Sequence, residues 1–258
     1  MINDVLNLMI GAGYEAGEIV LTARDVIAES KSCSRDVVTA YDRQVQDFLV
    51  GKFGEALPGA HFFCEEKELE DSLGAEHVFI IDPIDGTMNF VRGFFQSCTS
   101  VAYMSRGEIK AGVVYNPHTG EMFSAVKGGG ARLNGREIKS ADAPLGEVVC
   151  CFGTSPYYPE ATDETFRAVR YLFDNSLDIR REGSAAMDLC SIAMGRAGMF
   201  YETVLSFWDY AAGMLIASEA GARVCDAEGN PLPVDGRKSS VLAGTPSAVA
   251  EFLSGYKK

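Results

Sequence analysis

Apolar residues along this chain recur first at helical spacing, then in short alternating runs, and finally in a mixture of both. Residues 3–28 carry apolar side chains three and four positions apart, which predicts an amphipathic helix. A second helix is predicted to begin near Thr39, with Thr39 and Asp42 as a capping box. The apolar run at 78–81 predicts a buried strand that stops at Asp82.

The pattern then changes to a β-meander over 97–138, where glycine and asparagine turn signals separate short strands. The last part predicts strands and helices in mixed order, at 148–152, 164–173, 184–194, 199–201, 209–220, 241–244 and 247–253. We therefore expect one domain over 1–258. Residues 1–143 would form a helix pair and an antiparallel sheet, and residues 144–258 a mixed α/β part. The expected fold class is α+β, in layers.

Composition narrows the function classes. The chain has 258 residues, a formal net charge of -13 and a pI of about 4.7. An acidic surface repels nucleic acid and anionic membranes, so we expect neither as a partner. A phosphorylated substrate would be repelled too, so its site would need local cations.

Cysteine usage and the N-terminus predict a cytoplasmic protein. The seven cysteines are odd in number and none has CxxC spacing, which indicates reduced thiols rather than disulfides or a zinc site. The first residues have no basic segment typical of a signal peptide. No apolar run approaches the ~20 residues that span a bilayer.

The clearest local motif is Asp82-Pro-Ile-Asp85-Gly86-Thr87, which we call the strand-end motif (residues 82–87). Two carboxylates follow a buried strand, at the kind of position where α/β proteins bind ligands. Gly86 would let the backbone approach a ligand closely. Thr87 would begin a helix whose free N–H groups favour a phosphate.

Two further acidic positions are weaker signals. Glu65 and Glu66 lie about a strand's length upstream, and Asp209 follows Trp208 at a helix start. Each also has an ordinary interpretation: a solvated acidic run from 65 to 71, a plain helix N-cap at Asp209, and a capping and turn pair in the strand-end motif.

Four carboxylates in one cleft would repel each other unless cations neutralised them. Oxygen ligands favour hard ions such as Mg²⁺, Mn²⁺ or Ca²⁺. Two Mg²⁺ ions ~3.5–4 Å apart can bind a phosphate, acidify a water and stabilise the leaving oxygen. The acidic residues therefore predict hydrolysis of a phosphomonoester, and they explain how an acidic protein could bind an anion.

Four segments resemble the inositol monophosphatase family in the same order along the chain. They are IDPIDGTMNF (81–90), KGGGARLNG (127–135), REGSAA (181–186) and WDYAAGMLIASEAG (208–221). The resemblance spans roughly residues 5–245. It implies the αβαβα layered sandwich of the sugar phosphatases, two or three Mg²⁺ ions, inhibition by Li⁺ and a homodimer. It also implies hydrolysis of a small polyol phosphate such as myo-inositol 1-phosphate, by attack of a metal-activated water without a covalent enzyme intermediate.

The resemblance assigns the metal ligands residue by residue. Glu65, Asp82 and the backbone carbonyl of Ile84 would hold the first ion. Asp82, Asp85 and Asp209 would hold the second, and Glu65 would also help to bind a third, weaker one.

The remaining roles follow in the same way. Thr87 and Asp42 would orient or deprotonate the attacking water and count with Glu65 as catalytic. Gly86 and Thr87 would donate backbone N–H groups to the phosphate. Glu66 would act from the outer shell of the metal site.

On the substrate side, the resemblance places Ser184 and Glu202 against the sugar, beside Asp209. Lys31 and the loop over 31–38 resemble the family's mobile loop, which closes over the metals.

The chain departs from the family pattern at four places. Cys64 and Lys67 flank the glutamate pair where the family has Gly and Ser, and Gly198 replaces an Asp. Residues 203–207 are more apolar than a polyol pocket predicts. These departures bear on the substrate rather than on the chemistry.

Alternative substrates are 3′-phosphoadenosine 5′-phosphate, fructose 1,6-bisphosphate, NADP and histidinol phosphate. Glu202 favours a neutral polyol, because a carboxylate would repel a second phosphate, whereas Arg180, Arg181 and Lys67 would argue the other way if they faced the cleft. An alternative of another class is a regulatory or scaffold protein with residual phosphatase activity.

Overall fold

The computed structural model describes residues 2–31, 33–66 and 73–256, so the Lys67 departure lies outside the described residues. The helices are α1 (Ile2–Thr22), α2 (Ala40–Ala56), α3 (Thr87–Arg92), α4 (Thr162–Asn175), α5 (Ala185–Ala193), α6 (Phe207–Glu219) and α7 (Pro246–Gly255). The strands are β1 (Glu29–Ser30), β2 (Val37–Val38), β3 (His61–Cys64), β4 (Val78–Asp85), β5 (Cys98–Ser105), β6 (Glu108–Asn116), β7 (Glu121–Val126), β8 (Ala131–Leu133), β9 (Arg136–Ile138), β10 (Val149–Phe152), β11 (Asp178–Arg180), β12 (Met199–Leu205), β13 (Arg223–Cys225) and β14 (Ser239–Gly244).

Two sheets carry the fold, and β1 and β2 pair separately as a small ribbon. The larger sheet has the order β3-β4-β5-β6-β7-β8-β9, in which β3 and β4 are parallel and each later pair is antiparallel. The smaller sheet has the order β11-β10-β12-β14-β13, with β10 parallel to both of its neighbours. The β-meander predicted over 97–138 is therefore confirmed.

Helices cover both faces of each sheet. Helices α1 and α2 pack on one face of the larger sheet, α5 and α6 lie between the two sheets, and α4 and α7 contact the outer face of the smaller one. Three buried apolar clusters fill the spaces between these layers. Strand β4 is buried on both faces, which explains its continuous apolar run. The predicted α+β fold, as a layered αβαβα sandwich, is confirmed.

Several boundaries differ from the prediction. Helix α1 ends at Thr22 rather than near 28, because Asp25 adopts a left-handed φ of 49° that no helix continues. Strand β4 continues through Asp85 instead of stopping at Asp82. The short strands β3, β11 and β13 were not predicted, since three or four residues carry too little periodicity.

This layering brings the carboxyl end of β4 against the N-termini of α2, α3 and α5, through contacts described below. No helix in the described part of the chain is long and apolar enough to cross a bilayer. That residues 1–258 form one domain stays a prediction.

Candidate active site

The end of β4 shapes the strand-end motif. Its pairing with β5 shifts register between Asp82 and Asp85, so the ladder opens where the two carboxylates leave the sheet. Gly86 then turns the chain with a φ of 83°, and a Cβ there would lie 2.8 Å from the carbonyl oxygen of Gln96. Only glycine fits this position, and helix α3 begins directly after it.

Asp85 is held by the start of α5. The Ser184 hydroxyl donates to Asp85 Oδ2 at 2.6 Å, and the backbone N–H of Ala186 donates to the same oxygen at 2.8 Å. Ser184 is also the N-cap of α5, as predicted, and accepts from the Met187 N–H. One predicted substrate contact is therefore engaged with a predicted metal ligand in this structure.

Asp209 lies in the first turn of α6 but is not its N-cap. The helix begins at Phe207, Ser206 is the cap, and Asp209 Oδ2 accepts from the Ser206 N–H at 2.7 Å. The prediction of a helix capped by Asp209 was wrong, because a capping box places its acidic residue three positions after the cap.

Asp42 and Thr87 contact each other across 45 residues of sequence. The Thr87 hydroxyl lies 3.0 Å from Asp42 Oδ1 and 3.0 Å from the Ile84 carbonyl oxygen, so it can donate to one of them at a time. Asp42 Oδ2 accepts from the N–H and the hydroxyl of Thr39, at 2.7 and 2.5 Å. The predicted capping box is confirmed, and it leaves the other Asp42 oxygen to orient Thr87.

Lys31 binds both members of the glutamate pair. Its ammonium lies 2.8 Å from Glu65 Oε1 and 2.5 Å from Glu66 Oε1. Burial alone would lower the pKa of Lys31, but the two carboxylates outweigh burial and raise it. The Glu66 N–H also donates to Gln46 Oε1 at 2.9 Å, which fixes the turn after β3.

The carboxyl groups of the site perturb one another. Burial raises the pKa of Asp82 and of Asp209 well above the usual range, and each is raised further by Glu65 and Asp85. Burial also raises the pKa of Asp85 to about 6, although the Ser184 and Ala186 hydrogen bonds lower it. Mutual repulsion of this kind is relieved by a nearby cation.

These residues fit a hard divalent ion by donor chemistry. The donors are carboxylate and carbonyl oxygens, and Asp82 Oδ1 is buried without a hydrogen-bond partner. Within the described ranges, no three His, Cys, Asp or Glu side chains are already arranged to hold an ion. Glu65 bonds to Lys31 instead, so it would have to exchange that partner for an ion.

One cavity of about 310 Å³ collects most of the predicted site. That volume is at the lower end of the range typical of small-molecule sites. Of the predicted residues, those lining it are Glu65, Asp82, Ile84, Asp85, Gly86, Thr87, Ser184, Glu202 and Asp209. Asp42 and Glu66 are not among the lining residues and reach the site through Thr87 and Lys31.

Glu202 projects from β12 into this cavity and is almost fully buried. The N–H and the hydroxyl of Ser155 donate to Glu202 Oε1 at 2.8 and 3.2 Å. Burial raises the pKa of Glu202 to about 7, against these hydrogen bonds. A Cβ on Gly153 would lie 1.9 Å from Glu202 Oε2, so the glycine makes room for the carboxyl group.

Sequence reasoning missed several lining residues, namely Gly153, Tyr157 and Asp188, and left Arg181 open. A signal existed for Asp188, which is a lone carboxylate in the apolar run of α5. Gly153 and Tyr157 gave no signal, because only the fold brings their loop to the cavity.

Of the departures within the described residues, Cys64 and Gly198 do not line the cavity. Cys64 is buried at the end of β3, and burial raises its pKa to about 12. A Cβ on Gly198 would lie 2.3 Å from the Val148 side chain, so packing excludes an Asp there. Of residues 203–207, Leu205 lines the cavity.

Comparison with known proteins identifies the family to which the chain belongs. The model of the inositol monophosphatase family matches residues 1–256. The chain belongs to the inositol monophosphatase family. Inositol-1-monophosphatase of Mesorhizobium japonicum is 34% identical over 98% of this chain and 96% of its own. Nus factor SuhB of Vibrio cholerae is 34% identical over 97% of this chain and 95% of its own.

Solved structures of the same family agree with the fold. The extragenic suppressor protein suhB of Bartonella henselae superposes with a TM-score of 0.90, at 34% identity over 99% of both chains. The IMPase of Thermotoga maritima gives a TM-score of 0.88, at 30% identity over 98% of this chain and 97% of its own. Membership in the inositol monophosphatase family supports a metal-dependent phosphatase.

Proposed function

We propose that this protein is a Mg²⁺-dependent phosphomonoester hydrolase that acts on a small polyol phosphate such as myo-inositol 1-phosphate. One observation carries the proposal: the four carboxyl groups of the predicted metal ligands line one cavity. Burial and Glu65 raise the pKa of the three aspartates there, and Asp85 raises the pKa of the other two further. A buried anionic cluster of this kind is costly unless cations bind to it.

The ligands of the ions would be those implied by the family motifs. Glu65, Asp82 and the Ile84 carbonyl would hold one Mg²⁺, and Asp82, Asp85 and Asp209 a second, while Glu65 would also serve a third. Bound Mg²⁺ would neutralise the phosphate charge and lower the pKa of a water. Glu66 would bind Lys31 and act on Glu65 from the outer shell of the metal site.

The protein's own residues would position the water. Asp42 Oδ1 accepts from the Thr87 hydroxyl, which leaves the Thr87 oxygen lone pairs to accept a hydrogen bond from a water. Asp42 could take up the proton through Thr87 as the water attacks the phosphorus atom. The backbone N–H groups of Gly86 and Thr87 would bind the phosphate oxygens. The ester oxygen would leave as an alkoxide, without a covalent enzyme intermediate, and take a proton from a solvent water to give the alcohol.

The substrate side favours a neutral polyol. Glu202, Ser184 and Asp209 line the cavity, and a second phosphate there would face carboxyl groups. Arg35 and Arg181 also line it and are the cations that would support a doubly anionic substrate. Arg180 instead pairs with Asp178 at 2.5 Å and is not among the lining residues.

The test is phosphate release with Mg²⁺ or with a chelator, across myo-inositol 1-phosphate, 3′-phosphoadenosine 5′-phosphate, fructose 1,6-bisphosphate, NADP and histidinol phosphate. We expect turnover that needs Mg²⁺, is greatest for inositol phosphate and is inhibited by Li⁺. Preference for another ester would overturn the polyol assignment. If no ester is hydrolysed while Mg²⁺ is bound, the assignment of hydrolase activity would be overturned.

A second candidate function is regulatory, because relatives of 31–34% identity carry the name Nus factor SuhB. The charge of -13 favours a basic protein partner over nucleic acid. Capture of a stoichiometric partner that also binds an Asp209→Asn variant would support this role. A homodimer and a cytoplasmic location stay predictions.

A further inference from the structure

Besides the four carboxyl groups of the proposed metal site, the cavity is lined by Asp188 of α5. This residue is 1% exposed, and its Oδ1 has no hydrogen-bond partner among the described residues. The neighbouring Met187 and Leu189 belong to the apolar core between the sheets. Helix packing therefore gives no reason for a carboxyl group here, and the residue that carries this unpaired oxygen lines the cavity.

Burial and the neighbouring side chains shift the pKa of Asp188. Burial raises its pKa well above the usual range, Glu182, Glu202 and Asp85 raise it further, and a hydrogen bond with the Cys151 thiol opposes them. Either protonation state of this side chain can bind a hydroxyl group: a carboxylate oxygen accepts from it, and a protonated carboxyl group also donates one O–H. A hydroxyl group can match either state, because it donates once and also accepts.

Glu202 adjoins Asp188 on the same cavity. Ser155 donates twice to Glu202 Oε1, which fixes the side chain and leaves Oε2 directed at the space that the absent Gly153 side chain leaves open. Asp188 and Glu202 thus both line the cavity beside the four carboxyl groups of the proposed metal site.

We propose that Asp188 is a specificity-determining residue that binds a hydroxyl group of the polyol substrate, together with Glu202. The inference rests on the proposed function and names a contact that none of the sequence motifs assigned. A buried oxygen without a hydrogen-bond partner destabilises the substrate-free protein, and a substrate hydroxyl group would supply the missing hydrogen bond. A substrate without hydroxyl groups would leave it unpaired.

The experiment compares kcat/KM for myo-inositol 1-phosphate and for phenyl phosphate, which has no ring hydroxyl groups. The variants are Asp188→Leu, Asp188→Asn and Ser191→Ala. Ser191 is a matched control, because it lies on the same helix and is also 1% exposed with an unpaired oxygen, but it does not line the cavity.

We expect Asp188→Leu to lower kcat/KM for inositol phosphate by about 10- to 100-fold, mainly through KM, since lost hydroxyl contacts are of this size. Turnover of phenyl phosphate should change less than about threefold on the same argument. Asp188→Asn keeps a donor and an acceptor and should fall between. Ser191→Ala should leave the ratio of the two substrates unchanged.

An equal loss on both esters, or an unchanged ratio in Asp188→Leu, would overturn the proposal. If the unaltered protein hydrolyses neither ester with Mg²⁺, the proposed function fails instead. Calorimetry with free myo-inositol then tests Asp188 separately. Binding to the unaltered protein that is lost in Asp188→Leu supports the contact, and its absence in both overturns it.

Discussion

The chemistry of the candidate site depends on three individual aspartates, Asp82, Asp85 and Asp209. Burial and neighbouring carboxyl groups hold the pKa of Asp82, Asp85 and Asp209 above the usual value. Such residues are built for a cation rather than for stability. Changing one of them should therefore separate activity from folding.

Asp209→Asn should lower Mg²⁺-dependent phosphate release by at least about a hundredfold, because even outer-shell partners of a metal ion cost 10–100-fold. Circular dichroism should show the fold intact, since the amide oxygen can still accept from Ser206. The control is Asp174→Asn, an exposed carboxylate of α4 paired with Arg170, which should change neither property. An unfolded Asp209→Asn protein would contradict the assignment.

The raised pKa values also predict how stability depends on pH when a chelator is present. The folded protein binds protons at Asp82, Asp85 and Asp209 more tightly than the unfolded chain. Stability is therefore fully present below the usual carboxyl pKa and is lost as pH rises through the folded value, which for Asp85 is about 6.

In the presence of chelator, we expect the midpoint temperature of thermal unfolding to decrease as the pH is raised from 5 to 7.5. Asp82→Asn should reduce this fall and stabilise the protein at pH 7.5, because the amide cannot ionise and so removes the repulsion within the cluster. Differential scanning calorimetry measures both. A midpoint that rises with pH would show that these carboxylates are not destabilising.

Among the elements, β10 and β12 form the wall that carries Glu202. Cys151 pairs with Phe200 and Phe152 with Tyr201, so the turn after β10 lies beside the start of the Glu202 segment. Ser155 adopts a left-handed φ of 40° there, and this bend directs its N–H and its hydroxyl at Glu202. This turn therefore positions Glu202, the proposed polyol contact.

Gly153→Ala tests the wall. The added Cβ would lie 1.9 Å from Glu202 Oε2, so the carboxyl group must move and its bonds to Ser155 weaken. We expect KM for inositol phosphate to rise by about 10- to 100-fold with little change for phenyl phosphate. Gly51→Ala on α2 is the control: nothing lies within 4 Å of its added Cβ. It should stabilise the fold by about 0.5–1 kcal/mol. A KM equal to that of the control would contradict the role of the turn.

The layers as a whole converge around the proposed metal site, because its proposed ligands come from β4, α6 and the turn after β3. Thr87 of α3 and Ala186 of α5 bond to these ligands, and Asp42 of α2 bonds to Thr87. Binding of ions at that meeting point should therefore stabilise the entire fold. At a Mg²⁺ concentration one hundred times its Kd, the gain is about 2.7 kcal/mol.

Thermal unfolding with increasing Mg²⁺ measures this gain. We expect the midpoint to rise with the ion in the unaltered protein and to rise much less in Asp209→Asn, whereas Na⁺ at equal ionic strength should have no comparable effect. A rise of equal size in both proteins would place the ion elsewhere.

The amino-acid sequence predicted the layered fold from local patterns. Those patterns and the resemblance of short motifs to a family predicted nine of the residues that line the cavity. The strand-end motif, the capping box at Thr39 and the helix start near Asp209 each depend on residues a few positions apart. Periodicity likewise reports which face of each element is buried, whatever lies against it.

Contacts between distant segments required the folded protein. Thr87 bonds to Asp42 across 45 residues, Lys31 binds Glu65 across 34, and Ser155 binds Glu202 across 47. The sequence shows Asp188 as a lone carboxyl group in an apolar helix, but the cavity that it lines is built by segments far from it in sequence, from Ser34 to Asp209. Side chains that far apart in sequence meet through packing of the layers, which local spacing does not encode.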